Sequence, residues 1–208
     1  MKSLFITMEG SDGCGKTTQI ELLKKKFEDL GCETIISREP GGTAISEKIR
    51  NIILDNSNIN MSYITEAMLY AAARAQLVEE VIRPALESGK IVICDRFVDS
   101  SLVYQGIARG LGIERIAQIN SYALKDLKPD ITFFLDLPPV KAMQRKRKQA
   151  EFDRIENEKM EFHNMVYEGY KKIAEIYKER IISVDASQSI EKIHLDIYES
   201  IKNKYKQK

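Results

Sequence analysis

Five short apolar runs, each rich in β-branched or aromatic residues, recur along the chain. They span residues 4–10, 33–39, 90–96, 130–137 and 180–186. Runs of this length and composition are typical of buried strands. Because the runs are almost continuously apolar, we expect both faces of the resulting sheet to be covered, as they are in parallel sheets.

The segments between the runs have the apolar spacing of helices. In the first segment, Ile20, Leu23 and Phe27 recur at helical intervals, and Gly31 follows where a helix would end. Further helices are predicted at roughly 64–88, 112–127, 156–179 and 189–205. This alternation predicts an α/β fold with a five-stranded parallel sheet, helices on both faces and ligands at the carboxyl ends of the strands.

Composition sets limits on size and partners. The chain has 208 residues, of which 43% are hydrophobic and 30% are charged, and no linker divides it, so a single domain over 1–208 is predicted. Lys and Arg number 32 against 31 for Asp and Glu. The resulting net charge of +1 gives no reason to expect nucleic acid or an anionic membrane as a partner.

The amino-terminal residues and the cysteines bear on location. The sequence contains no stretch typical of a signal peptide or of a transmembrane helix. Cys14, Cys32 and Cys94 are odd in number and lack the spacing of metal ligands. These features favour a reduced, cytoplasmic setting.

A phosphate-binding signature follows the first strand directly. Residues 10–17, GSDGCGKT, satisfy G-x-x-x-x-G-K-[ST] between a predicted strand and a predicted helix, which predicts a three-layer fold of the P-loop NTPase type. Glycines let backbone N–H groups turn toward phosphate oxygens, and the next helix adds the positive end of its dipole. Lys16 would reach the β- and γ-phosphates of ATP, and Thr17 would hold Mg²⁺. The predicted ATP-binding residues are Gly10, Ser11, Asp12, Gly13, Cys14, Gly15, Lys16, Thr17 and Thr18.

Charged residues also end the second and third strands. Arg38 precedes the irregular loop EPGGT, and Asp95 and Arg96 close the third strand. Beside a bound triphosphate, an Asp can orient Mg²⁺ and an Arg can bridge the donor and acceptor phosphates. A surface ion pair is the alternative for Asp95 and Arg96, but the neighbouring P-loop favours phosphoryl transfer. A GTPase is disfavoured because no D-x-x-G follows the third strand.

These motifs together resemble the thymidylate kinase (dTMP kinase) family along essentially the whole chain. Residues 91–105, IVICDRFVDSSLVYQ, are similar to the family signature D-R-[FY]-x-x-S-x-x-x-Y-Q after a strand. Residues 38–43, 50–55, 66–76 and 153–156 are similar too. The resemblance implies transfer of the γ-phosphate of ATP to dTMP on the route to dTTP, with Mg²⁺ as cofactor and a homodimer packed through helices.

The resemblance also implies roles on the acceptor side. Tyr70 corresponds to the aromatic residue that stacks on thymine, and Arg74, one helical turn later, to the group that hydrogen-bonds a thymine carbonyl. Ser101 would lie at the pyrimidine edge and Tyr104 against the sugar. Three arginines would surround the acceptor phosphate, and the P-loop aspartate would accept a hydrogen bond from the 3′-hydroxyl. The implied dTMP-binding residues are Asp12, Arg38, Arg50, Tyr70, Arg74, Arg96, Ser101, Tyr104 and Gln105.

A basic stretch is similar to the bacterial-type lid of the family. The P-loop has Gly13 and Cys14 where some members carry a basic residue, so another segment must supply that charge. The lid is expected at about 141–156, closing over ATP and delivering arginines to the transferred phosphate. A solvated basic helix face is the alternative for each lid arginine. The candidate catalytic residues are Lys16, Asp95, Arg96, Arg145, Arg147 and Arg154, and the candidate metal ligands are Thr17 and Asp95.

Two other functions stay open on the sequence alone. One is a kinase for another nucleoside monophosphate, and the other is a nucleotide sensor that transfers no phosphate. The acceptor-side residues count against a sensor, because a sensor needs no second nucleotide pocket. The adenine contacts are the least determined part of the site, and the resemblance implies only that the backbone of residues 185–187 borders the base.

Overall fold

The structure is a computed structural model that describes residues 3–146 and 152–206. Five strands lie where the apolar runs predict them, shorter by a residue or two at their ends. They are β1 (Leu4–Glu9), β2 (Thr34–Arg38), β3 (Ile91–Asp95), β4 (Ile131–Asp136) and β5 (Ile181–Asp185). All pairs are parallel, and the order is β2-β3-β1-β4-β5. The predicted five-stranded parallel sheet is confirmed.

Helices cover the sheet and connect its strands. They are α1 (Lys16–Glu28), α2 (Ala44–Leu54), α3 (Tyr63–Leu77), α4 (Arg83–Glu87), α5 (Val98–Ser101), α6 (Ile113–Leu124), α7 (Pro139–Lys146), α8 (Met160–Ile176) and α9 (Ile190–Lys206). A 3₁₀ turn covers Asn56–Asn58, and π-helical segments cover Val78–Ile82 and Leu102–Ala108. No helix in these described ranges has both the length and the apolar character needed to cross a bilayer.

The helical stretch predicted at roughly 64–88 is confirmed, but it is not α-helical throughout. It divides into α3, the π-helical segment Val78–Ile82 and α4. Pro84, at the start of α4, has no N–H to donate and its ring crowds the preceding turn. A local change to π-helical hydrogen bonding is one of the usual ways for a helix to accommodate such a residue.

Both faces of the sheet are buried, which explains the continuous apolar runs. On β1, Leu4, Ile6 and Met8 face the core formed with α1 and α9. Phe5 faces the opposite core, formed with residues 77–85. Each strand residue therefore meets apolar neighbours whichever face it points to.

The parallel register brings three loops together at the carboxyl edge of the sheet. Met8 of β1 and Arg38 of β2 are both aligned with Asp95 of β3. The P-loop after β1, the loop after β2 and the turn after β3 therefore begin side by side. The candidate site is built on this edge.

Candidate active site

The P-loop has the backbone geometry of an anion-binding turn. Gly10, Gly13 and Gly15 have φ angles of 134°, 85° and 105°, which are left-handed values that favour glycine. A Cβ at Gly10 would lie 2.8 Å from the carbonyl oxygen of Leu135, so the loop also needs glycine there for space. Helix α1 begins at Lys16, and its unpaired N–H groups therefore point into the loop.

Lys16 lies inside this turn. Its Nζ donates to the carbonyl oxygens of Gly10 and Ser11 at 3.2 and 3.4 Å. The same Nζ is 3.7 Å from Asp12 Oδ1 and 4.0 Å from Asp95 Oδ1. The structure thus brings together the predicted lysine and both predicted carboxylates at the end of β1.

Two of the predicted residues fit a magnesium ion. Thr17 and Asp95 line one hollow at the sheet edge, and Arg38 lines it as well. Asp95 Oδ1 is buried, and it has no hydrogen-bond partner among the residues that the structure describes. Hydroxyl and carboxylate oxygens are hard ligands of the kind that Mg²⁺ prefers.

An open cleft of about 580 Å³ adjoins the P-loop. All the predicted acceptor residues except Arg38 line it, namely Asp12, Arg50, Tyr70, Arg74, Arg96, Ser101, Tyr104 and Gln105. Side chains from six separate segments therefore converge as the sequence predicted.

Two arginines meet at the edge of the cleft. Arg38 Nη1 and Arg50 Nη1 both donate to the carbonyl oxygen of Pro40, at 3.1 and 2.8 Å. Arg38 is partly exposed and also pairs with Glu47. Burial lowers the pKa of Arg50, and the charge of Arg38 lowers it further. Two like charges held this close favour an anion beside them.

Arg74 forms part of the buried wall of the cleft and is 1% exposed. Its Nε and Nη2 donate to Glu39, and Nη2 also donates to the carbonyl oxygen of Phe97 at 3.2 Å. Its Nη1 donates to Ser101 Oγ at 3.1 Å and to Asn120 Oδ1. All five N–H groups therefore have protein acceptors, and a thymine carbonyl would have to share one of them.

Arg96 lies between the cleft and the P-loop. Its φ of 66° is left-handed, and its Nη2 donates to Asp12 Oδ1 at 2.8 Å. Its Nη1 donates to Tyr170 OH at 3.0 Å and to Ser100 Oγ at 3.3 Å. The guanidinium also lies 5.4 Å from the centre of the Tyr104 ring. Its position is the one expected of a group that touches both phosphates.

The three candidate lid arginines differ in where they lie. Arg145, near the end of α7, donates from Nη1 to the carbonyl oxygen of Ala186 at 3.1 Å, which ties the lid segment to the loop after β5. Arg147 lies outside the described residues. Arg145 and Arg147 both stay candidates for the source of the lid charge.

Arg154, the third lid arginine, has buried partners in the structure, and its catalytic role stays a prediction. Its side chain is buried, at 9% exposure, with Nε donating to the carbonyl oxygen of Ile53 and Nη2 to Glu66 Oε2, both at 2.7 Å. Its neighbours Asp153 and Ile155 line the cleft, whereas Arg154 points into the protein. Arg154 is therefore paired with a buried carboxylate and is not among the residues that line the cleft.

A second open space of about 410 Å³ lies on the other side of the P-loop. Ser11 and Asp12 line it together with Met143 of α7 and His163 of α8. Asp12, Tyr104 and Glu156 line both this space and the first cleft. The two spaces therefore share part of their lining.

Sequence reasoning missed several buried polar residues that hold this site together. Glu39 and Asn120 hold Arg74, and Glu9, Ser100 and Tyr170 surround Arg96. Glu39 stands inside the motif REPGGT and could have been noticed there. The pairing of Glu9 with Tyr170 has no local signal in the sequence.

Comparison with known proteins gives one consistent result. A family model described as thymidylate kinase matches residues 8–197. A thymidylate kinase from a Thermoanaerobacter species is 50% identical over 202 residues, 97% of this chain and 98% of that protein. One from Symbiobacterium thermophilum is 52% identical over 195 residues, 94% of this chain and 91% of that protein. The crystal structure of thymidylate kinase from Ehrlichia chaffeensis aligns with a TM-score of 0.79 at 32% identity, covering 97% of this chain and 99% of that one.

Proposed function

Because this chain belongs to the thymidylate kinase family, we propose that it transfers the γ-phosphate of ATP to dTMP, giving ADP and dTDP. The observation that carries the proposal is that Asp12 belongs to the P-loop and also lines the larger cleft. A donor held by the P-loop and an acceptor held in the larger cleft would meet there. The enzyme is a phosphotransferase, and its acceptor is itself a phosphate.

The donor side uses main-chain and side-chain groups of the P-loop. The N–H groups of the loop and of the start of α1 would bind the phosphates, with Lys16 reaching the β- and γ-phosphates. Thr17 and Asp95 would hold Mg²⁺, which would supply positive charge to neutralise the phosphate oxygens. Arg145, beside the loop after β5, would border the adenine end.

The acceptor side combines positive charge with an aromatic ring. Arg96, Arg50 and Arg38 would surround the phosphate of dTMP, and the last would need to release Glu47 in part. Tyr70 and Arg74, one helical turn apart on α3, would contact the base. We propose that dTMP also contacts the remaining residues, Asp12, Ser101, Tyr104 and Gln105.

In the reaction, an oxygen of the acceptor phosphate attacks the γ-phosphorus in line with the bond to the leaving ADP. The P–O bond to ADP breaks as the new P–O bond to dTMP forms, so no covalent enzyme intermediate is needed. Arg96 lies where it can screen the repulsion between the two phosphates. Alignment and charge neutralisation are the protein's main contributions.

The first prediction concerns substrate choice and the two central cations. We expect dTMP to have a higher kcat/KM than dUMP, UMP or dCMP in a coupled assay of ADP release. Lys16→Ala and Arg96→Ala should each lower kcat by about 10³-fold or more with dTMP while the circular dichroism spectrum is retained. Near-normal rates would refute their roles.

Two outcomes would replace the proposed function. A higher kcat/KM for UMP or dCMP would indicate a kinase for another nucleoside monophosphate. Tight ATP binding without any acceptor-dependent ADP release would indicate a nucleotide sensor. The same assay, run with and without acceptor, separates the three.

We further propose a homodimer that packs through α3 and α6. Ile64, Met68 and Ala72 are exposed and lie four residues apart along one face of α3. Tyr122 of the neighbouring helix α6 is 87% exposed. The two helices pack on each other through buried residues, so their outer faces lie next to each other.

A further inference from the structure

Glu9, the last residue of β1, is a buried carboxylate without a cation in direct contact among the described residues. Its side chain is 1% exposed. Oε1 accepts a hydrogen bond from the N–H of Phe97 at 2.8 Å, and Oε2 accepts from Ser100 Oγ at 2.6 Å and from Tyr170 OH at 2.8 Å. Burying a carboxylate in this way costs stability unless its hydrogen bonds are well matched, so this arrangement calls for an explanation.

The two hydroxyl groups that Glu9 holds are the same two that bind Arg96. Arg96 Nη1 donates to Tyr170 OH at 3.0 Å and to Ser100 Oγ at 3.3 Å. Each hydroxyl has one hydrogen and two lone pairs, and a carboxylate can only accept. The two hydroxyls also lie 2.8 Å from each other, and a hydroxyl whose hydrogen is directed to Glu9 presents a lone pair to the guanidinium.

Burial raises the pKa of Glu9, and the charge of Asp99 raises it further. The charge of Arg96 and the hydrogen bonds from Ser100 and Phe97 act in the opposite direction. The charge of Arg96 therefore favours the ionised form of Glu9, and the hydroxyl groups between them connect the two side chains.

The other end of Arg96 is held by the P-loop. Its Nη2 donates to Asp12 Oδ1, and its backbone N–H donates to the carbonyl oxygen of Met8 at 2.9 Å. The left-handed φ of 66° aims the side chain away from the direction of β3. Glu9, through its hydroxyl partners, and Asp12 therefore hold opposite sides of one guanidinium.

Tyr170 is itself well fixed. Its ring stacks on Phe134 with centroids 5.2 Å apart and an interplanar angle of 15°, and it meets Tyr104 edge-on at 6.3 Å. It belongs to α8, the first helix after the lid segment. Its hydroxyl is therefore a rigid support contributed by an element far along the chain from β1.

We propose that Glu9 and Tyr170 are positioning residues that orient Arg96 at the junction of the donor and acceptor clefts. The proposal rests on the proposed phosphoryl transfer and adds two residues outside the P-loop and outside the acceptor set. They act through Arg96, with Ser100 as the second hydroxyl between Glu9 and the guanidinium.

The test is a double-mutant cycle between Tyr170 and Arg96. Tyr170→Phe keeps the ring and removes the hydroxyl. We expect it to lower kcat/KM for dTMP by about 10- to 100-fold, because small misplacements of a catalytic group have effects of this size. The KM for ATP should stay within about twofold, since the P-loop and its lysine are unchanged.

The decisive comparison uses Arg96→Lys, a cation that cannot reproduce the same fork. In that background Tyr170→Phe should change kcat/KM by less than about threefold, because the group it positions is gone. Glu9→Gln should show the same dependence on Arg96. Equal losses in both backgrounds would overturn the proposal and indicate a structural role.

Tyr167→Phe is the matched control. Tyr167 lies one turn earlier on α8, its hydroxyl donates to Asp136 Oδ1 at 2.7 Å, and its ring also packs near Phe134. This variant loses a comparable hydrogen bond without touching Arg96. Its kcat/KM should stay within about twofold of the wild type. A loss as large as that of Tyr170→Phe would also contradict the proposal.

A second readout separates this inference from the proposed function. If the wild type phosphorylates no monophosphate, the proposed function fails, and nitrogen-15 NMR of the arginine side chains still tests the network. We expect Arg96 to show distinct, slowly exchanging Nη signals in the wild type and in Tyr167→Phe. Those signals should be averaged by faster rotation in Tyr170→Phe. Unchanged signals would refute the positioning role.

Discussion

Glu39 shows how one buried carboxylate can determine the direction of a binding residue. It accepts from Nε and Nη2 of Arg74, which leaves the guanidinium no freedom to turn toward solvent. Burial raises the pKa of Glu39 from 4.5 to about 7, while Arg74 opposes the shift. The protonation state of Glu39 therefore changes within a pH range in which protein stability is readily measured.

This raised pKa predicts a pH-dependent stability. The unfolded chain releases the Glu39 proton near pH 4.5, whereas the folded protein retains it until about pH 7. Since the folded state binds more protons in this window, the free energy of unfolding should fall as pH rises through it. Relative to Glu39→Gln, the wild type should lose about 3 kcal/mol between these pH values in urea titrations. A difference that does not vary with pH would contradict the prediction.

The elements around the acceptor cleft are joined by a cluster of buried ions. Glu66 of α3 is fully buried and accepts from Arg109, after the π-helical segment, and from Arg154, in the expected lid segment. Gln105 donates to the same carboxylate at 2.9 Å, and Arg109 also pairs with Glu158. The cluster ties two separate segments, 105–109 and 154–158, to the helix that carries Tyr70.

Removing the central charge should loosen these elements. Glu66→Gln would leave two largely buried arginines facing a neutral amide, and breaking a buried ion pair in this way costs about 3–5 kcal/mol. Urea denaturation measures the loss. Glu158→Gln is the control because Glu158 is partly exposed, and it should cost about 1 kcal/mol or less. Equal losses in the two variants would show that the burial of Glu66 does not determine how much stability is lost with its charge.

The assembly of the whole molecule can be tested on the outer face of α3. Met68 is 57% exposed, so Met68→Glu should leave the fold intact while placing a charge in the proposed dimer interface. We expect sedimentation velocity to show a dimer for the wild type and a monomer for this variant. Met165→Glu on α8 is the control, since Met165 is 44% exposed but lies on another face. A wild type that sediments as a monomer would refute the dimer.

Much of the active site followed from the sequence because its residues lie in short motifs at strand ends. Asp12, Tyr70, Arg74 and Arg96 line one cleft, as expected from a parallel sheet whose loops meet at one edge. Arg154 shows the limit of such reasoning. Its place in a basic stretch predicted a catalytic role, but the direction of a long side chain depends on which opposite charge packs nearest.

The sequence by itself predicted the five strands, the parallel sheet and the phosphate-binding loop. Apolar periodicity and contiguous motifs are local properties, so they can be recognised in the sequence alone. Only the tertiary structure decided which buried polar groups meet. Glu9 and Tyr170 are 161 positions apart, and their hydrogen bond exists because β1 and α8 pack beside the same turn. Pairing of this kind depends on long-range packing, which no spacing along one element records.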